Sequence, residues 1–340
     1  MEKVELYSES MVVSIDITDR CNLQCLHCFN NSGERCYESE MTDDKLMELC
    51  DQVIEIRPLI VCICGGEPLL RKNTALKMIK KLKNGGIANV NMVSNGILVT
   101  EEIANELDKS GLNLIQISVD GLKENHDWLR NRAGAFESAI KAIELLKAAN
   151  LNVGVACTPT KKNLQDIEEL VDYLDEKGIY DFRMQPIMPL GRAKNIRSYF
   201  PDQKDYLILS RKLSSISKRK NGLRVEWGDP TEHIANMVDG LWSKSITIDA
   251  YGNVLLSPYI PISFGNINNH SLVEYYRNGF KDIHKIPSVK KILQMMKDVS
   301  SMELNDTSLP VMHTTSNLKF DIIDQSFEYI NEELFKMIKM

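Results

Sequence analysis

Apolar positions in the first 190 residues follow two alternating rhythms. Short runs that alternate with polar residues, or stay apolar throughout, predict strands at 11–17, 59–64, 88–93, 112–119, 153–157 and 182–185. Between them the period lengthens to that of a helix. Thr42 is a plausible N-cap with Asp43 and Asp44 in the first turn, and Leu46, Leu49 and Val53 follow on one face. Further helices are predicted at 74–82, at 101–109, along Phe136, Ala139, Ile140, Ile143 and Leu146, and at 166–177. The run 59–64 is apolar throughout, as expected of a strand covered on both faces. Six strand–helix units in succession predict an α/β fold with a parallel sheet and helices outside. Six units curve into a (βα)6 partial TIM barrel more naturally than they close a ring of eight.

From Gly191 the rhythm stops. A helix is predicted at 201–218, a short strand at 223–227, and a β-hairpin at 246–257 that turns at 250–253. Helices follow at 271–278, 289–297 and 322–338, and the polar stretch 300–316 reads as a flexible linker. The expected organisation is a barrel core at 1–195 and an α+β extension at 196–340 that contains the hairpin and the C-terminal helices. No internal repeat is present.

A net charge of −6 argues against a nucleic-acid partner bound by phosphate neutralisation. No run of 18 apolar residues offers a membrane span. The polar N-terminus is no signal peptide, so a cytoplasmic location is expected. Eight cysteines without an export signal suit a reducing compartment, where cysteine clusters serve metals or catalysis.

Three of those cysteines, Cys21, Cys25 and Cys28, follow the first strand in a C-x3-C-x2-C spacing. Structural zinc wants four ligands in a closed tetrahedron. A [4Fe–4S] cube held by three thiolates would keep one iron open to an added ligand. A zinc knuckle closed by His27 or Cys36 is the alternative. In a parallel α/β fold chemistry gathers at the carboxyl ends of the strands. The cysteine loop stands there, as do Gly65-Gly66-Glu67-Pro68, Ser94-Asn95-Gly96, and Ser118 with Asp120.

Cys21-x3-Cys25-x2-Cys28, followed some forty residues on by Gly65-Gly66-Glu67-Pro68, resembles the radical S-adenosylmethionine (radical SAM) superfamily over residues 8 to 195. Ser118-Val-Asp-Gly121, His126-Asp127-x2-Arg130 and Gly134-Ala-Phe136-Glu137 are similar to the branch with a SPASM or twitch extension, as in peptide maturases. The hairpin motif Ile248-Asp-x2-Gly252-Asn-Val254 with Gly265-Asn-Ile267 resembles the start of that extension. Ser257 stands where the branch has a cysteine, and no cysteine follows Cys157. The resemblance therefore implies a degenerate extension and a single [4Fe–4S] cluster.

The resemblance assigns roles residue by residue. Cys21, Cys25 and Cys28 would ligate the cluster. Gly65, Gly66 and Glu67 would meet the methionine amine of S-adenosylmethionine, Glu67 through its carboxylate. Ser118 would hydrogen-bond the ribose or methionine end, and Arg130 would pair with the carboxylate. Leu190 would pack near the adenine, and Asn95 is a polar candidate. An electron donor such as flavodoxin or ferredoxin would reduce the cluster, and a 5′-deoxyadenosyl radical would abstract substrate hydrogen. The substrate expected is a ribosomally synthesised peptide, with a small metabolite (sugar, nucleoside or antibiotic intermediate) as the alternative. A triplet starting at residue 21 leaves no room for a leader-peptide-binding domain before it, which weighs on the metabolite side. A non-catalytic iron–sulfur or zinc regulator is the reading from another class.

The remaining cysteines divide. Cys50, Cys62, Cys64 and Cys157 lie in predicted helices and strands and read as small core thiols. Cys36, on the cysteine loop, is a candidate hydrogen donor weighed against an ordinary loop thiol. Asp229 and His233 could line a substrate pocket or simply cap a helix.

Overall fold

The computed structural model describes residues 11–33, 39–220, 222–242, 244–260, 262–298 and 318–338. Strands β1 (Val12–Asp16), β2 (Ile60–Cys64), β3 (Asn89–Ser94), β4 (Leu114–Ser118), β5 (Val153–Cys157), β6 (Asp181–Met184) and β7 (Arg224–Trp227) pair in chain order, all parallel. On the free side of β1, strand β8 (Ser245–Ile248) also pairs in parallel. The result is an open arc of parallel strands. Strands β9 (Asn253–Leu255) and β10 (Ile262–Asn266) extend it antiparallel beyond β8, and β11 (Leu318–Lys319) lies parallel on β10.

Helices α1 (Asp43–Ile56), α2 (Lys72–Asn84), α3 (Glu101–Ser110), α4 (Lys123–Arg130), α5 (Ala135–Ala148) and α6 (Ile167–Glu176) connect the barrel strands. Thr42 caps α1 as expected, its hydroxyl accepting the Lys45 N–H at 3.1 Å. Leu46, Leu49 and Val53 are fully buried beneath it, so cutting either leucine to alanine would cost about 2–5 kcal/mol. Beyond the barrel lie α7 (Gln203–Arg219), α8 (Glu232–Val238), α9 (Leu272–Arg277), α10 (Pro287–Met296) and α11 (Phe327–Ile338).

Strand alternation decides which side chains face the interior. Val13, Ile15, Val61, Ile63, Val90, Met92, Ile115 and Ile117 are buried on the helix-covered face. Their neighbours Ser14, Asp16, Cys64, Val93, Gln116 and Ser118 line a cavity on the concave face. Strand β2 is thus not apolar on both faces, as 59–64 had suggested: its cysteines look into the barrel.

Two further expectations change. The strand–helix rhythm does not stop at 191, because β6, α7 and β7 form another unit that adds a parallel strand. The hairpin likewise does not stand apart, since β8 is hydrogen-bonded to β1 and the sheet runs on across residue 195. Helix α4 was not foreseen, and the helix expected from 322 begins at Phe327. The stretch 300–316 lies outside the described residues.

Candidate functional site

The loop from 17 to 33 leaves β1 and is held on both sides. Arg20 and Gly33 form an isolated parallel bridge, and the Cys21 N–H donates to the Gly33 carbonyl at 3.0 Å. Asp19, buried beneath the loop, accepts the Ser32 hydroxyl at 2.9 Å and the Tyr251 hydroxyl at 3.1 Å. Burial pushes the Asp19 carboxyl up to about 6. Tyr251 belongs to the β8–β9 turn, so the C-terminal part braces the loop. On the other side the Leu26 N–H donates to the Leu129 carbonyl at 2.9 Å, and the Arg192 N–H to that of Cys28 at 3.0 Å. Gly191 has φ +54°, and a Cβ there would collide with the carbonyls of Cys28 and Phe29. Only glycine lets the two loops meet so closely.

Cys21, Cys25 and Cys28 are free thiols and line one cavity of about 370 Å³ at the carboxyl ends of the strands. Gly65, Gly66, Asn95, Ser118, Arg130 and His27 line the same cavity. The glycine pair runs directly against the cysteine loop. The Gly66 N–H donates to the Thr18 carbonyl at 2.8 Å and the Glu67 N–H to that of Arg20 at 2.9 Å. A Cβ on Gly65 would collide with the Thr18 carbonyl, and one on Gly66 with that of Arg20.

Arg130 and Asp120 supply the cavity's charged corner. Their Nε and Oδ2 are 2.6 Å apart, and both side chains are buried. Burial alone would raise the Asp120 carboxyl, but Arg130 and then His27 outweigh it and hold it below the usual range. The Asp120 N–H donates to His126 Nδ1 at 3.0 Å. Burial pushes His126 down to about 4, which keeps that ring neutral and able to accept. Asp127 accepts the N–H groups of Gly134 and Phe136, both at 2.8 Å, and so tethers the start of α5. The His126–Asp127–Arg130 motif therefore builds the corner rather than lining it throughout.

Arginine and amide side chains reach two of the sulfurs. Arg130 Nη1 lies 3.7 Å from Cys25 Sγ, and Asn95 Nδ2 lies 3.9 Å from Cys21 Sγ. Burial pushes the Cys21 thiol up to about 12 and raises that of Cys28 as well. A coordinating metal deprotonates such thiols outright. Among the described residues, the one group of three side chains with donor atoms within 4.8 Å of one another is His270–Asp321–Asp324. Three thiols of one loop, with Arg130 and Asn95 donors beside two of them, make a donor set suited to an iron–sulfur cluster that keeps one iron without a protein ligand.

Residues 15–174 match the family described as the radical SAM superfamily. Residues 15–174 therefore form a radical SAM domain. That superfamily uses a [4Fe–4S] cluster and S-adenosylmethionine. The chain is 25% identical over 291 residues to the AdoMet-dependent heme synthase of Methanosarcina barkeri, covering 79% of this chain and 82% of that one. It is 29% identical over 180 residues to the sporulation killing factor maturation protein SkfB of Bacillus subtilis, covering 53% and 43%. The match spans about half the length of several curated relatives, from 43% to 55%. Among solved structures, native anSMEcpe with bound AdoMet and the Cp18Cys peptide superposes with TM-score 0.63 at 20% identity. That fold likeness covers 96% of this chain and 98% of the other, and so extends well past the radical SAM domain.

Against this background some expected radical SAM contacts fall elsewhere. Cys21, Cys25, Cys28, Gly65, Gly66, Asn95, Ser118 and Arg130 all meet at the cavity. Glu67 does not line it. Its carboxylate is fully buried and accepts the Leu69 N–H at 3.0 Å, the Ser94 hydroxyl at 3.0 Å and the Asn95 N–H at 2.8 Å. Leu190 packs against the apolar core, and Met188 and Gln185 of the same loop line the cavity in its stead. Pro230 lines the cavity whereas Asp229 and His233 do not; Asp229 accepts the N–H and hydroxyl of Thr231. Cys36 lies outside the described residues. The sequence reading missed Asp16, Arg192 and Tyr259, which line the cavity. Asp16 was within reach, since it shares the β1 face of Ser14.

Proposed function

We propose that this chain is a radical SAM enzyme that starts hydrogen abstraction from a ribosomally synthesised peptide, with one [4Fe–4S] cluster on Cys21, Cys25 and Cys28. One observation carries the reading: three free thiols of a single loop line the same cavity as Gly65, Gly66, Ser118 and Arg130. When bound, the cluster and S-adenosylmethionine supply a 5′-deoxyadenosyl radical, and the protein supplies position and exclusion of water. Gly65 and Gly66 offer backbone to the methionine amino group. Glu67 is a positioning residue, holding Ser94 and Asn95 at the end of β3. Arg130 carries the charge for the methionine carboxylate, a planar donor suited to that partner. Ser118 presents its hydroxyl to the ribose or methionine end. A flavodoxin or ferredoxin is the electron donor.

The peptide reading is supported by the name of the relative SkfB, a maturation protein, and by the peptide bound in the anSMEcpe structure. A second reading, a small-metabolite substrate, is favoured by the longer match to the heme synthase. The deciding experiment measures 5′-deoxyadenosine from the reconstituted, dithionite-reduced protein. The peptide reading expects a several-fold rise with the short peptide encoded beside the gene. A rise only with a small metabolite from the neighbouring pathway overturns it in favour of the second reading.

A further inference from the structure

Two of the cysteines that the proposed function leaves unused stand on one strand of the barrel. Cys62 and Cys64 alternate along β2 with Val61 and Ile63, which are fully buried against the helices. Both thiols therefore sit on the concave face, and Cys64 lines the cavity that holds the cysteine triplet. Their sulfurs are 3.2 Å apart, with Cys64 donating to Cys62. Strand register sets Asp16 beside Cys64, and Ser14 and Asn91 on either side of Cys62. Thiols that only filled a core would sit among apolar side chains, as Cys50 and Cys157 do. Here Cys64 stands at the wall of the cavity beside Asp16, and Cys62 lies next to it between Ser14 and Asn91.

We propose that Cys62 and Cys64 are a redox-active dithiol of the reaction cavity, with Cys64 giving a hydrogen atom to a carbon radical formed there and Cys62 as its partner. The inference rests on the radical SAM reading above. Donation of a hydrogen atom needs an intact S–H. The hydrogen bond to Cys62, burial and the neighbouring Asp16 hold the Cys64 thiol well above the usual thiol range, so it stays protonated. In the step, the Cys64 S–H bond breaks and a C–H bond forms on the substrate, leaving a thiyl radical. The Cys62 sulfur bonds to it and releases its proton, giving a disulfide radical anion. One electron passes from that anion to a one-electron acceptor of the iron–sulfur or flavin class, and a disulfide remains. A dithiol reductant then returns two electrons and two protons and restores both thiols.

Strand geometry allows the bond. Two residues along a strand place the Cα atoms about 6.6 Å apart. That is at the upper end of the roughly 4.4–6.8 Å range that a disulfide spans. A disulfide formed at that limit is strained and readily reduced, as a turnover centre requires.

Two measurements test the inference. In the first, the metal-free chain is treated anaerobically with glutathione disulfide, then alkylated and mapped by mass spectrometry. The peptide that carries Cys62 and Cys64 is expected two hydrogens lighter and closed to alkylation. Both thiols remaining open to alkylation overturns the dithiol. In the second, the reconstituted protein is given S-adenosylmethionine alone in D2O, where thiol hydrogens exchange and carbon-bound ones do not. The fraction of 5′-deoxyadenosine that carries deuterium, read per molecule formed, is expected to fall at least five-fold in Cys64→Ser. An unchanged fraction overturns the donor role. Wild-type protein that forms no 5′-deoxyadenosine contradicts the radical SAM reading instead, while the disulfide map still decides the dithiol.

Discussion

Arg130 and Asp120 are buried on one another, so removing one leaves the other charge without a partner. Arg130→Ala is expected to cost about 3–5 kcal/mol of stability. Asp120→Asn on that background should recover part of the loss in denaturant unfolding, and a cost below about 1 kcal/mol for the single change would contradict the pairing. Asp16 tests the cavity wall by pH. Burial, then Asp249 and Asp19, push its carboxyl from 3.8 to about 8. The folded chain thus holds a proton that the unfolded chain has released, and stability falls as pH rises through that window. In the metal-free chain Asp16→Asn should flatten the decline in Tm between those two values, and an unchanged slope would count against it. At this scale the sequence was legible where a side chain touches the cavity directly, as with Cys21, Ser118 and Arg130. Glu67 and Leu190 lie off the cavity lining, because a motif names a residue without saying which way its side chain turns. Glu67 spends its carboxylate on three internal hydrogen bonds.

The cysteine loop depends on elements far from it in sequence. The β8–β9 turn is closed by Asp249, which accepts the N–H groups of Tyr251 and Asn253, both at 2.9 Å. That turn aims the Tyr251 hydroxyl at Asp19 under the loop. Tyr251→Phe removes the donor from a buried carboxylate and should cost about 1–3 kcal/mol. The same variant should retain less iron after gel filtration, and full iron retention would contradict the bracing role. Helix α1 was readable from its cap and its apolar face, which are local signals. The parallel pairing of β8 with β1 was not, because the partners lie some 230 residues apart and no periodicity records it. Strand β7 was seen, yet its place beside β6 escaped notice because the 3₁₀ segment Gly191–Tyr199 interrupts the rhythm.

The sheet joins the barrel to the C-terminal strands without a break. A chain cut after residue 195 would lose β7 and β8 and leave β6 and β1 as bare edges, which invite aggregation. Residues 1–195 alone should therefore show no cooperative thermal transition, and a sharp melt for that fragment would contradict the continuity argued here. Fold class was legible because repeated strand–helix units leave few other architectures. The extent of the sheet was not, since it is a property of long-range pairing. Among the described residues no helix is long and apolar enough to cross a membrane. The central claim is that three thiolates hold a cluster with one iron left for S-adenosylmethionine. It is tested most directly by electron paramagnetic resonance of the anaerobically reconstituted, reduced protein before and after addition of S-adenosylmethionine. A [4Fe–4S]+ signal is expected that shifts on addition and is lost in Cys25→Ala. Zinc in place of iron, or a cluster signal indifferent to S-adenosylmethionine, would contradict it.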